Sequence, residues 1–133
     1  MKEEIKLPHI HNDSLTSQEL ADIMPDDNTI STVADAMKKL GDPSRLRIFW
    51  LLCHTEECVI DIAAIVNMTS PAVSHHLRLL KNAGLITSRR EGKEMFYKAA
   101  DTKLSQALHL IIEQIADITC QGGVAVTLPP IRD

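Results

Sequence analysis

The sequence predicts a mainly α-helical domain that carries one small β-hairpin. Apolar residues recur at helical spacing in several segments, and residues typical of helix ends separate those segments. One segment instead alternates apolar and polar residues on both sides of Glu91-Gly92, which predicts two short strands joined by a tight turn. At 133 residues, the chain has the length of a single domain.

Capping residues and apolar spacing predict the first two helices. Thr16 or Ser17 caps a short helix that runs to Met24, and the stretch PDDN at residues 25–28 ends it. A second helix follows and stops at Gly41. Its apolar residues, at helical spacing, are Ile30, Val33, Ala34, Met37 and Leu40.

A third helix and the last helix are predicted from their apolar content. Asp42 and Pro43 supply a cap and a first-turn proline, and the run LRIFWLLC at residues 46–53 predicts that the third helix is largely buried. The last helix ends near Cys120. It carries a stripe formed by Leu104, Leu108, Ile111, Ile112, Ile115 and Ile118. So strong a stripe at the end of a small chain predicts that a partner covers it.

Two short helices and a hairpin occupy the middle of the chain. An apolar helix covers about residues 59–66, and the stretch NMTSP breaks it. Ser70 and Pro71 begin another helix that runs to about Asn82, and the basic hairpin follows. This order of elements predicts a winged helix-turn-helix, a fold that reads duplex DNA.

The second helix of the pair is expected to enter the major groove. Its candidate contacts are Ser70, Ala72, Ser74, His75, His76 and Arg78. From the wing, Arg89, Arg90 and Lys93 are expected to hold the DNA backbone. The net charge of −4 agrees with this interpretation, because residues 69–98 hold six basic residues against two acidic ones. The positive charge is therefore local.

The sequence also predicts how the chain is organised and which classes of protein it does not belong to. Residues 1–15 are predicted to be a flexible arm, residues 16–120 the DNA-binding and dimerisation domain, and residues 121–133 a loose tail. Without an apolar membrane span or signal core, the protein is expected in the cytoplasm, away from membranes. Three cysteines argue against a disulfide framework. No phosphate loop or His-Glu-x-x-His motif is present, so an enzyme is not expected.

Four motifs, in order along the chain, closely resemble the ArsR/SmtB family of bacterial metal-responsive repressors. They are LGDPSRLRIFWLL, ECVIDIA, SPAVSHHLRLLKNAGLI and RREGKEMFYKAAD, and the resemblance covers roughly residues 30–118. It implies a dimeric winged helix-turn-helix whose first and last helices form the two-fold interface. It also implies that metal binding releases the protein from operator DNA, and that the operator is palindromic.

The resemblance further implies metal ligands in the helix before the recognition helix. One family site uses Cys-Val-Cys there, but Ile60 stands where the second cysteine would fall. A related site uses Cys-x-x-Asp with ligands from the partner's N-terminal arm, and Cys58 and Asp61 fit it, with His9 and His11 in the arm. Residues i and i+3 share a helix face. A sulfur, two nitrogens and an oxygen suit zinc, with cadmium or lead as further candidate effectors.

A third family site lies on the terminal helices. The aligned positions here are Asp101, Lys103, Gln114 and Asp117. Only the two aspartates are capable ligands, and Lys103 would place a competing cation there, so this site is expected to be absent or altered. His109 and Glu113, at i and i+4, could form a different site, or simply a polar pair at the edge of the dimer seam.

The cysteines leave a second function open. Cys53 and Cys58, or either with Cys120, could respond to oxidants or reactive sulfur by forming a disulfide. Family members of that sort place their two cysteines differently from this chain. Cys53 and Cys120 are otherwise reserve metal ligands, with core packing the simpler interpretation of Cys53.

Overall fold

A computed structural model describes residues 16–120, with side chains described as far as residue 117. The predicted arm, residues 1–15, and the predicted tail, residues 121–133, lie outside this range. The elements are α1 (Ser17–Ile23), α2 (Asp27–Lys39), α3 (Pro43–His54), β1 (Glu57–Cys58), α4 (Val59–Val66), α5 (Ser70–Asn82), β2 (Ile86–Glu91), β3 (Glu94–Ala99) and α6 (Lys103–Cys120). The prediction of a mainly helical domain with a β-hairpin wing is confirmed.

Side-chain caps begin the first three helices. The Thr16 hydroxyl accepts a hydrogen bond from the Glu19 N–H at 3.1 Å, and the Glu19 carboxylate accepts one from the Thr16 N–H, which completes a capping box. Asp42 caps α3 as predicted. Asp26 was expected to help end α1, but its carboxylate caps α2 by accepting from the Thr29 N–H at 2.8 Å. The second helix therefore begins earlier than its apolar stripe.

A left-handed asparagine makes the turn between α4 and α5. Asn67 has φ 56° and ψ 54°, a conformation that asparagine tolerates better than most residues. Two residues later, the Thr69 hydroxyl accepts a hydrogen bond from the Ala72 N–H and caps α5. The turn thus ends one helix and begins the next within three residues.

The core lies where α3, α4 and α5 meet. Phe49, Ile62 and Leu77 come from these three helices and are almost fully buried. The last helix joins this core through Leu108. Its position is also fixed by hydrogen bonds, because the Leu85 carbonyl accepts from the Ala100 N–H at 2.9 Å and from the buried Ser105 hydroxyl at 3.0 Å.

The third helix is less buried than its sequence predicts. Ile48, Phe49 and Leu52 face the core, but Trp50 is 41% exposed. The expectation of a largely buried helix was therefore wrong for one face. Because the apolar residues form a continuous run, they hide the helical periodicity that separates a buried face from an exposed one. The side chain of Trp50 lies on the exposed face, where it lines a cleft beside α6 and donates a hydrogen bond to Glu113.

The sheet has one more strand than the predicted hairpin. β2 and β3 pair antiparallel around Gly92, whose φ of 63° suits glycine. The two-residue strand β1 pairs with β3, so that Cys58 lies opposite Phe96, and the strand order is β1-β3-β2. This strand was not predicted, because two residues carry no periodicity.

We predict that Ile62→Ala lowers the free energy of unfolding by about 2 to 5 kcal/mol, because Ile62 is fully buried and its truncation leaves a cavity. The matched control is Ile60→Ala on the same helix, where the side chain is 67% exposed. That change is expected to stay within about 0.5 kcal/mol. Urea unfolding followed by circular dichroism, at one protein concentration, measures both. Equal losses would contradict the core described above.

Candidate functional site

The recognition helix α5 presents a mixed surface. Ser70, His75 and Arg78 are exposed, and Ala72 and Ser74 are half-buried. The Arg78 guanidinium forms no ion pair with any residue between 16 and 117, so its charge is available to a partner. Hydroxyl, imidazole and guanidinium groups on one helix are suited to contacts with base edges and phosphates.

His76 differs from the other candidates on α5. It is half-buried, and its Nδ1 atom lies 3.2 Å from the Arg45 Nη1 atom on α3. Burial lowers the pKa of His76, so the neutral imidazole is favoured and its ring nitrogen can accept from the arginine. Arg45 also donates to the Lys39 carbonyl at 2.7 Å. The structure thus places His76 at the packing contact between α3 and α5.

The basic residues of the wing are in two electrostatic situations. Arg89 donates two hydrogen bonds to the Glu56 carboxylate, at 2.8 and 2.9 Å, and a third to Glu91 at 2.8 Å. These carboxylates raise the pKa of Arg89, and its guanidinium lies 5.1 Å from the Phe96 ring centre. Arg90 and Lys93 are exposed and form no ion pair with the residues described. Of the three wing residues expected to contact DNA, Arg90 and Lys93 therefore keep a positive charge that no described carboxylate pairs.

Cys58 lies at the junction of sheet and helix. It belongs to β1 and is also the N-cap residue of α4, although its side chain makes no capping hydrogen bond. It is 6% exposed and lines a cleft of about 210 Å³ together with Lys93 and Glu94. A ligand in the cleft can therefore reach the thiol, while strand pairing with β3 fixes the backbone of Cys58.

Asp61 lies in the first turn of α4, where its carboxylate is exposed. An acidic residue there also favours the helix through its dipole. The structure therefore brings two of the predicted metal ligands, Cys58 and Asp61, to the same helix end. Their expected partners, His9 and His11, lie outside the described residues, as does the side chain of Cys120.

The aspartates of the terminal helices are not drawn into a cluster. The Asp101 carboxylate accepts a hydrogen bond from the Gln106 amide at 2.8 Å, and Asp117 is exposed on α6. Lys103 is exposed at the start of that helix. Among residues 16–117, neither aspartate belongs to a group of three potential ligands.

A compact cluster does form between α3 and α6. The Glu113 Oε1 atom lies 2.9 Å from His109 Nε2 and 3.1 Å from His54 Nε2, and the two Nε2 atoms are 3.1 Å apart. The indole N–H of Trp50 donates to the same Glu113 oxygen at 3.2 Å. Sequence spacing identified His109 and Glu113 but missed His54, because no periodicity relates residues on separate helices.

Cys53 lies near this cluster, and the charge of Glu113 affects the pKa of its thiol. It is half-buried and packs against the core, as the simpler interpretation expected. Burial, and then the negative charge of Glu113, raise the pKa of its thiol to about 11. At neutral pH the thiol therefore stays protonated, which makes it a weak nucleophile.

Comparison with known proteins identifies the family. Residues 42–88 match the family model described as bacterial regulatory protein, arsR family. A Staphylococcus aureus protein named cadmium resistance transcriptional regulatory protein CadC homolog is 36% identical over 108 residues, which cover 79% of this chain and 85% of that protein. A Synechocystis protein named transcriptional repressor SmtB homolog is 34% identical and covers 64% of each chain.

Solved structures agree on the fold. The homodimeric winged helix-turn-helix DNA-binding domain of a Mycobacterium bovis protein, solved by NMR, superposes with a TM-score of 0.65 at 28% identity and covers 79% of this chain and 99% of that domain. Reduced HlyU of Vibrio cholerae has the same fold, with a TM-score of 0.60 at 23% identity, covering 65% of this chain and 92% of its own. Family match, curated relatives and fold together show that this chain belongs to the ArsR family of bacterial regulatory proteins.

Proposed function

We propose that this protein is a metal-responsive transcriptional repressor. It binds operator DNA as a homodimer and is released by a divalent metal of the zinc type, with cadmium and lead as further candidates. The observation that carries the proposal is the position of α4. Cys58 and Asp61 lie at its N-terminal end, and its C-terminal end leads through the Asn67 turn into α5.

DNA binding is supported by the distribution of charge. The chain as a whole is acidic, but Arg78 on α5 and Arg90 and Lys93 on the wing are exposed and form no ion pair with residues 16–117. In a winged helix-turn-helix, these two elements face the major groove and the flanking backbone. The acidic remainder of the chain limits indiscriminate binding to nucleic acid.

A homodimer is supported by apolar surface on α2 and α6. Ile30 and Met37 on α2, and Leu110, Ile111 and Ile115 on α6, are all at least two-fifths exposed. An exposed apolar surface of this kind is typical of a protein interface. The Mycobacterium bovis structure is that of a homodimer. Two-fold symmetry of the protein then favours a palindromic operator.

The metal site proposed for the response combines two chains. Cys58 and Asp61 of one protomer supply a thiolate and a carboxylate, and His9 and His11 from the arm of the partner complete the set. The donors on α4 fit this role in kind, because sulfur and oxygen ligands accept zinc and the thiol opens onto a surface cleft. The Staphylococcus aureus relative named for cadmium resistance supports a metal effector.

The thiol-responsive alternative has less support. The raised pKa of Cys53 opposes rapid attack by its sulfur on an oxidant. The backbone of Cys58 is fixed by strand pairing to β3, which limits its approach to another thiol. Relatives of this chain are instead named as cadmium resistance transcriptional regulatory proteins.

Transcriptional regulators of this kind are not enzymes. None of the helices between residues 16 and 120 could span a membrane. We place the protein in the cytoplasm.

The proposed release follows from linkage between two ligands. If metal binds more tightly to the form that is free of DNA, then metal must weaken DNA binding by the same factor. A coupling free energy of about 1.4 kcal/mol corresponds to a tenfold change in operator affinity. Because α4 packs directly against α5, a metal that repositions the start of α4 acts on the DNA-reading helix.

We predict that Arg90→Ala weakens operator binding and reduces its salt dependence. Loss of one phosphate contact per protomer should lower the slope of log affinity against log salt by about 1.8 for the dimer. Lys103→Ala removes the same charge from the exposed start of α6, outside α5 and the wing, and should leave the slope unchanged. Fluorescence anisotropy with labelled operator DNA, over a range of salt concentrations, measures both. An unchanged slope for Arg90→Ala would place the wing away from the phosphates.

We predict that zinc weakens operator binding by reduced protein, at least tenfold, and that Cys58→Ser abolishes this response. The serine hydroxyl is somewhat smaller than the thiol and is a poor zinc ligand at neutral pH. Anaerobic zinc titration of the protein on labelled operator DNA measures the effect, with His9→Ala and His11→Ala as tests of the arm.

Three outcomes are informative. Loss of the zinc response in Cys58→Ser and in both arm variants supports the proposed site. A response that survives Cys58→Ser would locate the regulatory metal elsewhere in the protein. Absence of any zinc, cadmium or lead effect on operator affinity would refute the metal-responsive function.

A further inference from the structure

The cluster between α3 and α6 contains three donor atoms that converge on one point. His54 is the last residue of α3, and His109 and Glu113 face it from one turn of α6. Their donor atoms are separated by 2.9, 3.1 and 3.1 Å. Among the residues that the structure describes, this is the one group of three potential metal ligands.

Hydrogen bonds alone do not account for this triangle. Each Nε2 atom carries either one hydrogen or none. If both carry one, both donate to Glu113, but the two N–H groups then face each other across 3.1 Å. If either nitrogen lacks its hydrogen, its lone pair faces the carboxylate oxygen. One of the three contacts therefore always joins like partners.

With Glu113 as a carboxylate, no placement of the hydrogens on the two ring nitrogens makes all three contacts favourable. A cation bound by all three atoms removes this conflict, because both ring nitrogens and the carboxylate oxygen can direct a lone pair at it. Without a cation, one of the three contacts stays unfavourable.

The distances match those of a zinc-class ion. With Zn–N and Zn–O distances of roughly 2.0 to 2.1 Å, the ligand atoms of a tetrahedral site lie about 3.3 to 3.4 Å apart. The observed separations of 2.9 to 3.1 Å are within a few tenths of an ångström of that value. A shift of that size is within reach of side chains at the surface.

The surroundings of the cluster also suit a metal. The Trp50 indole N–H donates to the Glu113 oxygen, and such outer hydrogen bonds orient carboxylate ligands. A cleft of about 290 Å³, lined in part by Cys53 and His109, borders the cluster and has room for water as a fourth ligand. The Trp50 and His54 ring centres are 4.4 Å apart, so the indole directly adjoins a ligand.

We propose that His54, His109 and Glu113 form a second metal site, contained within one protomer, that binds a divalent cation of the zinc class through two nitrogens and one oxygen. This site shares no ligand with Cys58 and Asp61. It joins the C-terminal end of α3 to α6 and so fixes the last helix against the DNA-binding core. The inference concerns metal binding and stands whether or not metal releases the protein from DNA.

The experiment uses full-length protein in which the donors on α4 are removed by Cys58→Ser and Asp61→Asn. Zn²⁺ is titrated under equilibrium dialysis, and the fluorescence of Trp50, the only tryptophan of the chain, is followed in parallel. Co²⁺ serves as a second probe, because tetrahedral Co²⁺ absorbs visible light. His54→Gln and Glu113→Gln are introduced separately into this background.

We predict that the background protein binds one zinc ion per protomer with a change in Trp50 fluorescence. Loss of an outer hydrogen bond commonly weakens metal binding about 10- to 100-fold, so loss of a direct ligand should weaken zinc binding at least about 100-fold. Asp35→Asn is the matched control, because it removes an exposed carboxylate on α2 and should change nothing.

The alternative outcomes overturn the inference. Failure of the background protein to bind zinc would show that the cluster is only a polar contact. Zinc binding that survives both His54→Gln and Glu113→Gln would show that the ion lies elsewhere. His54 and Glu113 are both more than two-fifths exposed, and metal-free thermal unfolding of each variant checks that the fold is retained.

Discussion

The burial of α4 between α3 and α5 is the constraint on which the rest of the structure depends. Ile62 on α4 belongs to the same core cluster as Phe49 on α3 and Leu77 on α5, and each such side chain contributes roughly 1.5 to 3 kcal/mol on burial. The buried residues of α4 are Ile62, Ala63 and Val66, and α4 cannot move independently of α5 without exposing them. The DNA-reading helix and the candidate ligands at the start of α4 therefore belong to one rigid unit.

Much of the fold is encoded locally and could be predicted from the sequence. Thr16 and the pair Asp42-Pro43 mark helix starts through short-range chemistry, and Gly92 marks the wing turn through its freedom of φ. The order of these elements was enough to predict the winged helix-turn-helix. The positions of Cys58 and Asp61 on one helix end also follow from their spacing of three residues.

The features that could not be predicted depend on contacts between distant parts of the chain. Arg89, whose contact with DNA stays a prediction, lies in ion pairs with Glu56 and Glu91, and Glu56 is 33 residues away. His54 meets His109 across 55 residues. Such pairings depend on how helices and strands pack against one another. The spacing of residues within a single helix or strand carries no information about that packing.

The short strand β1 gives the structure a mechanical property. Its pairing places Cys58 opposite Phe96, so the N-cap residue of α4 is joined by strand pairing to β3, the central strand of the sheet. The neighbouring Glu56 adds a second connection, an ion pair with Arg89 on β2. A displacement that begins at Cys58 thus reaches α5 through a packed helix and the wing through a paired strand. Cys58 is therefore connected to both elements that face DNA, the helix α5 and the wing.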